Sequence, residues 1–380
     1  MSTYSFVVHT PVYVGPNCVR EHADQLKHFG KKAYVITSDF GACRHYSLEE
    51  MEAALQEQGI EYKVRADVIE NPPVEYVKEV TDEARAYGPD FLVAVGGGSS
   101  LDTAKAVSVL IVHGADEDPY QVFWKDPSRH TSLYNESTMP LVAAPTTAGT
   151  GSEVTAGAVL TRADIDTKST IWQNVFYDLG FFDPRYIMDS PKELLHTGIM
   201  DALCHAIESY VNVKSNDMTR AMGEIGMKMF AKFKDNLLTG DLTEQDYQNM
   251  IIASYYDGMA FQCGTALPHG MGYPVSHHKG VHHGLACGLF QAEYLRAFKD
   301  QSIVEPVIKL CGFADIDEFA AYIQKFMQMD VQMETTEAEV KHWAELFCTQ
   351  EAHRLKRHPE PIGLPEVTDI FLKSLAPYIK

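Results

Sequence analysis

The stretch FLVAVGGGSSLDTAKAV, residues 91–107, constrains the fold more than any other part of the chain. Phe91 to Val95 is an apolar burst of the kind that forms a buried strand. Three glycines follow at once and let the backbone approach a neighbour or a ligand closely. Leu101 to Val112 then reads as a helix. The surrounding sequence repeats this alternation. Residues 7–15 and 31–39 read as strands, 55–59 closes a helix, 61–68 reads as strand, 74–87 as helix and 140–144 as strand. Strands and helices at this spacing predict a mainly parallel α/β sheet. Apolar residues make up 45% of the 380 and charged residues 22%, which excludes a disordered or fibrous chain.

Beyond Asp183-Pro184 the β-branched alternation thins and long helical stretches take over, at 191–211, 217–238, 244–263 and 285–298. The reading is an α/β domain over 1–187 and an all-helical domain over 188–380. Acidic residues outnumber basic ones 52 to 32, a formal charge of −20. Such a field repels phosphate backbones and anionic lipid, so neither nucleic acid nor a membrane is an expected partner. Seven scattered cysteines with no CxxC pair point to a reducing cytoplasm.

The glycine run predicts a phosphate cradle. A helix that starts behind Gly96, Gly97 and Gly98 offers free N–H groups and a positive dipole end to a phosphate. Ser99 adds a hydroxyl, while Asp102 suits a ribose hydroxyl or a nicotinamide-side amide better than a phosphate. A second polar loop, APTTAGTGSEVT (144–155), presents Thr146, Thr147 and Thr150. Two such loops after strands fit ligand binding beyond the strand ends of an open sheet. The plainer alternatives are a tight turn with a capped helix for the first and a surface loop rich in turn residues for the second.

In the helical half, TGIMDALCHAIESYV places Asp201 and His205 four residues apart, on one helix face. LPHGMGYPVSHHKGVHHGLACG (267–288) holds His269, His277, His278, His282 and His283, and its glycines and Pro274 predict a turn between helices. Two of these histidines with Asp201 and His205 make an oxygen-and-nitrogen set suited to zinc or ferrous iron. A surface histidine loop is the alternative. Cys204, Cys263 and Cys287 lie in apolar helical context and read as core. A phosphate cradle with a metal site allows hydride transfer to a dinucleotide, the metal polarising an alcohol or carbonyl. It also allows metal-assisted lyase or phosphatase chemistry, or a scaffold without activity.

These residues resemble those of the iron-containing (group III) alcohol dehydrogenases over nearly the whole length. The resemblance rests on GGGSSLDTAKA (96–106), PTTAGTGSEVT (145–155), DPRY (183–186), TGIMDALCHAIESY (197–210), HGMGYP (269–274) and HHG (282–284). It implies a Rossmann-like dinucleotide domain followed by a helical metal domain, the fold shared with dehydroquinate synthase. It implies one divalent ion, Fe(II) or Zn(II), held by Asp201, His205, His269 and His283. Many relatives carry a further histidine four residues after the third ligand. Here Tyr273 stands there, so Tyr273, His277 and His278 are the candidate proton carriers or substrate anchors. Lys168 and Leu179 join the cradle residues as cofactor-binding candidates. At the end of the second strand Ser38 would tolerate a 2′-phosphate, while Asp39 beside it favours NAD(H) over NADP(H), because a carboxylate there binds the ribose hydroxyl and repels a 2′-phosphate. The implied substrate is a small primary alcohol or its aldehyde, with a lean to sulfoacetaldehyde or a similar charged aldehyde over lactaldehyde, 1,3-propanediol or 4-hydroxybutyrate. A cytoplasmic homo-oligomer, a dimer or larger, is expected.

Overall fold

The computed structural model describes residues 3–38, 46–125, 138–165 and 167–380. Six strands form one parallel sheet: β1 (Val12–Val14), β2 (Lys32–Ser38), β3 (Glu61–Val68), β4 (Phe91–Gly96), β5 (Leu141–Pro145) and, after a separate antiparallel pair of β6 (Val159–Arg162) and β7 (Thr167–Thr170), β8 (Leu179–Phe182). Their spatial order is β1-β8-β5-β4-β2-β3. The central strands are buried on both faces, as parallel strands covered by helices must be. Side chains alternate accordingly. Tyr34, Ile36, Leu92, Ala94, Leu141 and Ala143 enter one core, while Ala33, Val35, Phe91, Val93, Val142 and Ala144 enter the other. Helices Tyr46–Glu57, Val74–Tyr87 and Gly98–Leu110 cover the sheet. After β2 the chain moves outward to β3, then returns to the other side of β2 as β4. The ends of β2 and β4, Ser38 and Gly96, therefore flank a switch point, where open α/β sheets bind ligands. This compact unit comprises Val7–Thr147 and Ser152–Ser190.

The second compact unit comprises Ala148–Gly151 and Pro191–Lys380, with the N-terminal residues up to Phe6. Three of its helices start on capping boxes: Asn216 caps Asp217–Thr239, Thr243 caps Glu244–Ala260 and Thr336 caps Glu337–Gln350. The Lys192–Val211 helix is apolar on nearly every side and is buried along almost all of its length, so it forms the centre of this unit. The loop Ala148–Gly151 is tied to the helices by Gly149 N–H, which donates to Ser254 Oγ at 2.7 Å. Among the described residues no helix is long and apolar enough to cross a membrane.

One buried group stands apart. Asp257, in the Glu244–Ala260 helix, has Oδ1 without a hydrogen-bond partner among the described residues, and burial pushes its carboxyl well above the usual range. A group whose pKa is raised on folding leaves its stability contribution intact below the unfolded value, about 3.9 for Asp. That contribution is lost as pH rises toward the folded value. Asp257→Asn removes the charge that must be discharged. Thermal unfolding of both proteins from about pH 4 to about pH 8 should show the variant gaining on the native chain as pH rises. Parallel curves would show that Asp257 is ionised in the fold.

Candidate metal centre and cofactor cradle

At the switch point, β4 turns into the Gly98–Leu110 helix through Gly96 and Gly97. Gly96 has φ 152°, and a Cβ there would meet Ser100 Oγ at 2.4 Å. Ser38 Oγ and Ser100 Oγ are 3.0 Å apart. Thr146 N–H donates to Gly96 O at 3.0 Å, which sets the second loop beside the glycines. Thr147 lies against Gly97. Asn71, in the left-handed conformation at φ 55°, donates its N–H to Ser99 Oγ at 3.2 Å, and its side chain accepts from Lys168 Nζ at 2.7 Å. The structure thus gathers Ser38, Gly96, Gly97, Gly98, Ser99, Thr146, Thr147 and Lys168 around one helix start.

Asp102 and Leu179 have partners within the fold. Asp102 accepts from Ser152 Oγ at 2.6 Å and from Val159 N–H at 2.9 Å, so its carboxylate ties down the second loop. Leu179 is a buried residue of β8, in register with Val142. Thr150 belongs to Ala148–Gly151 and so to the helical unit. Asp39 lies outside the described residues.

In the helical unit the metal candidates converge. Asp201 and His205 share a face of Lys192–Val211. His269 lies in the first turn of Leu267–Lys279, and His283 begins His283–Gly288. Gly284 lets that short helix close on the first, because a Cβ there would lie 1.9 Å from Thr197 O. Asp201 Oδ1 is 3.5 Å from His269 Nε2 and 3.9 Å from the Nε2 atoms of both His205 and His283. The rings of His205 and His269 stack with centroids 4.8 Å apart. Asp201, His205 and His269 are buried, while the His283 side chain is 42% exposed, which opens the cluster on that side.

The charge balance of this cluster calls for a cation. Burial alone would raise the Asp201 carboxyl, yet the three histidines hold it far below its usual range. Burial depresses His205. It would also depress His269, but Glu208 and Asp201 on either side carry that imidazole up to about 9. Asp201 Oδ1 and His269 Nε2 are buried with no hydrogen-bond partner among the described residues. Unpartnered buried acceptors and ring nitrogens aimed at one point, beside two carboxylates, fit a divalent ion.

The region from 267 to 279 corrects a sequence expectation. It is a helix, not a turn, although it contains Gly270, Gly272 and Pro274. Gly272 is there because a Cβ would lie 3.0 Å from the backbone of Ala286 and Cys287 on the next helix. As a consequence His277 and His278 ride the far end of the helix, about 12 Å along its axis from His269 at 1.5 Å per residue. Both are exposed, and His278 stacks on Trp343 at 6.0 Å. The structure does not bring them to the cluster. Tyr273 is brought there: its ring stacks on His283 at 5.8 Å, and its hydroxyl accepts from Arg354 Nη2 at 3.0 Å.

Residues 10–184 match the iron-containing alcohol dehydrogenase family, and residues 195–367 match the C-terminal region of the Fe-containing alcohol dehydrogenase family. The chain belongs to the iron-containing alcohol dehydrogenases. The sulfoacetaldehyde reductase of Bilophila wadsworthia is 31% identical over 286 residues, spanning 72% of this chain and 69% of that protein. Alcohol dehydrogenase 4 of Schizosaccharomyces pombe is 28% identical over 289 residues, 76% of this chain and 66% of its own. The crystal structure of the iron-containing alcohol dehydrogenase of Thermotoga maritima superposes with a TM-score of 0.84 at 28% identity, covering 98% of this chain and all of that one. Like other iron-containing alcohol dehydrogenases, this chain is a metal-dependent NAD(P)-linked oxidoreductase with one divalent metal site. The family match decides against the lyase and phosphatase alternatives.

Four residues of this iron-containing alcohol dehydrogenase escaped the sequence reading. Glu208, fully buried, accepts from His269 Nδ1, Gln291 Nε2 and Ala266 N–H, each at 2.7 Å. Its place three residues beyond metal candidate His205, on the same helix, was the available signal, since metal-bound histidines commonly donate to a carboxylate. Gln291 and Arg354 gave no local signal, and Asn71 only that of an Asn-Pro turn.

The register through His282-His283 carries a prediction. His282 Nε2 faces Glu193 Oε1 at 3.4 Å, away from the cluster. His283→Ala should bind little metal and turn over slowly, while His282→Ala keeps both, as read by metal analysis of the purified variants. The reverse outcome would place the wrong histidine in the site.

Proposed function

We propose that the protein interconverts a small aldehyde bearing an anionic group and its primary alcohol, using NAD(H) and a cation held by Asp201, His205, His269 and His283. The observation that carries this reading is the approach of three imidazoles to the Asp201 carboxylate in an alcohol dehydrogenase fold. When bound, the ion supplies Lewis acidity toward the alcohol or carbonyl oxygen, and the nicotinamide supplies or accepts the hydride. The chain's own residues then position and protonate. Asp201 and His269 fix one side of the cluster, with Glu208 holding the His269 ring. The partly exposed His283 face leaves room for substrate, bordered by the Tyr273 ring. The Tyr273 ring is exposed, but loss of water around its hydroxyl raises the phenol, so it keeps its proton. Its oxygen already accepts from Arg354, which leaves its own O–H to donate elsewhere. Tyr273 is therefore the proton donor in this reading.

Support for an anionic substrate comes from the name of the Bilophila relative and from Arg354. This guanidinium is buried, donates to Glu351, Thr265 and Tyr273, and lies one aromatic ring away from His283. It takes the anchoring role that the sequence offered to His277 and His278. A charged hydrogen bond is worth about 1.5–3 kcal/mol. Arg354→Gln should slow turnover of butanal, through the lost bond to Tyr273, and lower kcat/KM for sulfoacetaldehyde about 10- to 100-fold further. Equal turnover of butanal and anionic aldehydes by the native enzyme would remove the charged substrate from the reading.

The NAD(H) preference rests on the carboxylate of Asp39, next to Ser38 in the sequence. Steady-state rates with NADH and NADPH test it, and a clear NADPH preference defeats it. The described cysteines are all free, in keeping with a cytoplasmic enzyme, and the family resemblance supports a homo-oligomer.

A further inference from the structure

Cys287 is placed as a metal donor would be. It follows His283 by four residues on the His283–Gly288 helix, so the two share a face, as Asp201 and His205 do on theirs. Cys287 Sγ lies 3.7 Å from His283 Nε2. Asp201, His269, His283 and Cys287 each offer a donor atom, and all four lie within 4.8 Å of one another. The separations of 3.5–3.9 Å between neighbouring donors suit ligands that share one ion through bonds of about 2.0–2.3 Å. Two atoms of this group, Asp201 Oδ1 and His269 Nε2, are buried, unpartnered and aimed into the same space.

We propose that Cys287 is a donor to the metal of this site and adds a thiolate sulfur to the oxygen and nitrogen ligands. The inference rests on the cluster being the metal site of the proposed function. As the sulfur–metal bond forms, the thiol releases its proton to solvent, and neither sulfur nor metal changes oxidation state. A sulfur ligand moves the preference of the centre toward zinc.

The test loads the metal-free protein with Co(II) alone and records its electronic spectrum with the bound cobalt. The native protein and a Cys204→Ser control should show a thiolate-to-cobalt charge-transfer band. Cys287→Ser should lose the band while still binding cobalt. Should that variant fail to fold, X-ray absorption on the native zinc form decides. A sulfur shell at about 2.3 Å beside the nitrogen and oxygen shell supports the proposal. One bound cobalt without the band, or a shell of nitrogen and oxygen only, overturns the role of Cys287 and leaves the proposed function standing. A band that survives in Cys287→Ser also overturns it. Failure of the native protein to bind either ion would end both readings.

Discussion

Asp201→Asn is expected to bind no stoichiometric metal and to lose roughly three orders of magnitude in turnover. The substitution keeps the size of the side chain and removes its charge. Asp201 Oδ1 is the atom that His205, His269 and His283 approach within 4.0 Å, and it is the carboxylate among the cluster's candidate donors. With an amide there, a divalent ion loses its carboxylate ligand in a buried site, against a desolvation cost of several kcal/mol per ion. Lewis-acid stabilisation of the reacting oxygen is worth several kcal/mol, and about 1.4 kcal/mol corresponds to tenfold in rate. Metal analysis and turnover of the variant check this together. Full metal content with native turnover would show that the cluster is not the catalytic centre.

The second large effect is expected at Glu208, which touches no candidate substrate position. Its carboxylate is fully buried and satisfies three donors at 2.7 Å. Burial would raise its pKa, but the charge on His269 and the bonds it receives hold it below the usual range. It orients the His269 ring and fixes which nitrogen faces Asp201. Glu208→Gln turns one acceptor toward three donors into a donor. Loss of such an outer partner typically lowers metal affinity 10–100-fold, and breaking a buried charged contact costs about 3–5 kcal/mol. Chelator competition should show the affinity loss and denaturant unfolding the stability loss. The sign with pH also follows. A depressed carboxyl contributes stability above its unfolded pKa, about 4.3 for Glu, and loses it as pH falls through the folded value. The gap between native and Glu208→Gln proteins should therefore narrow in acid. Unchanged metal affinity would reduce Glu208 to a packing residue.

The sheet was legible where local pattern and tertiary environment agree. The Phe91–Val95 run and the Val74–Tyr87 helix stand where periodicity placed them, because a strand buried on both faces and an amphipathic helix leave a direct apolar signature. The pair β6 and β7 escaped, since TKST is polar and mostly exposed. The Leu267–Lys279 helix was missed for a different reason. Its glycines read as turn residues, but Gly272 serves close helix packing, which only the partner helix reveals. The metal candidates were legible because Asp201 and His205 share a helical spacing and His269 and His283 lie in recognisable motifs. Cys287 had the same spacing from His283, but a cysteine in an apolar helix reads as core until a neighbouring ring nitrogen is found 3.7 Å away. Arg354 lies 81 residues from the tyrosine it supports, and no local pattern joins them.

Nicotinamide-linked aldehyde reduction by this chain is expected to require a metal ion at the Asp201 cluster. The most direct measurement follows NADH absorbance with sulfoacetaldehyde and a set of short aldehydes, before and after the metal is removed with a chelator and restored with Fe(II) or Zn(II). NADH oxidation should disappear with the metal, return with it, and be fastest with the anionic aldehyde. NADH oxidation that survives complete metal removal, or none with any aldehyde and either reduced cofactor in the metal-loaded protein, would contradict this expectation.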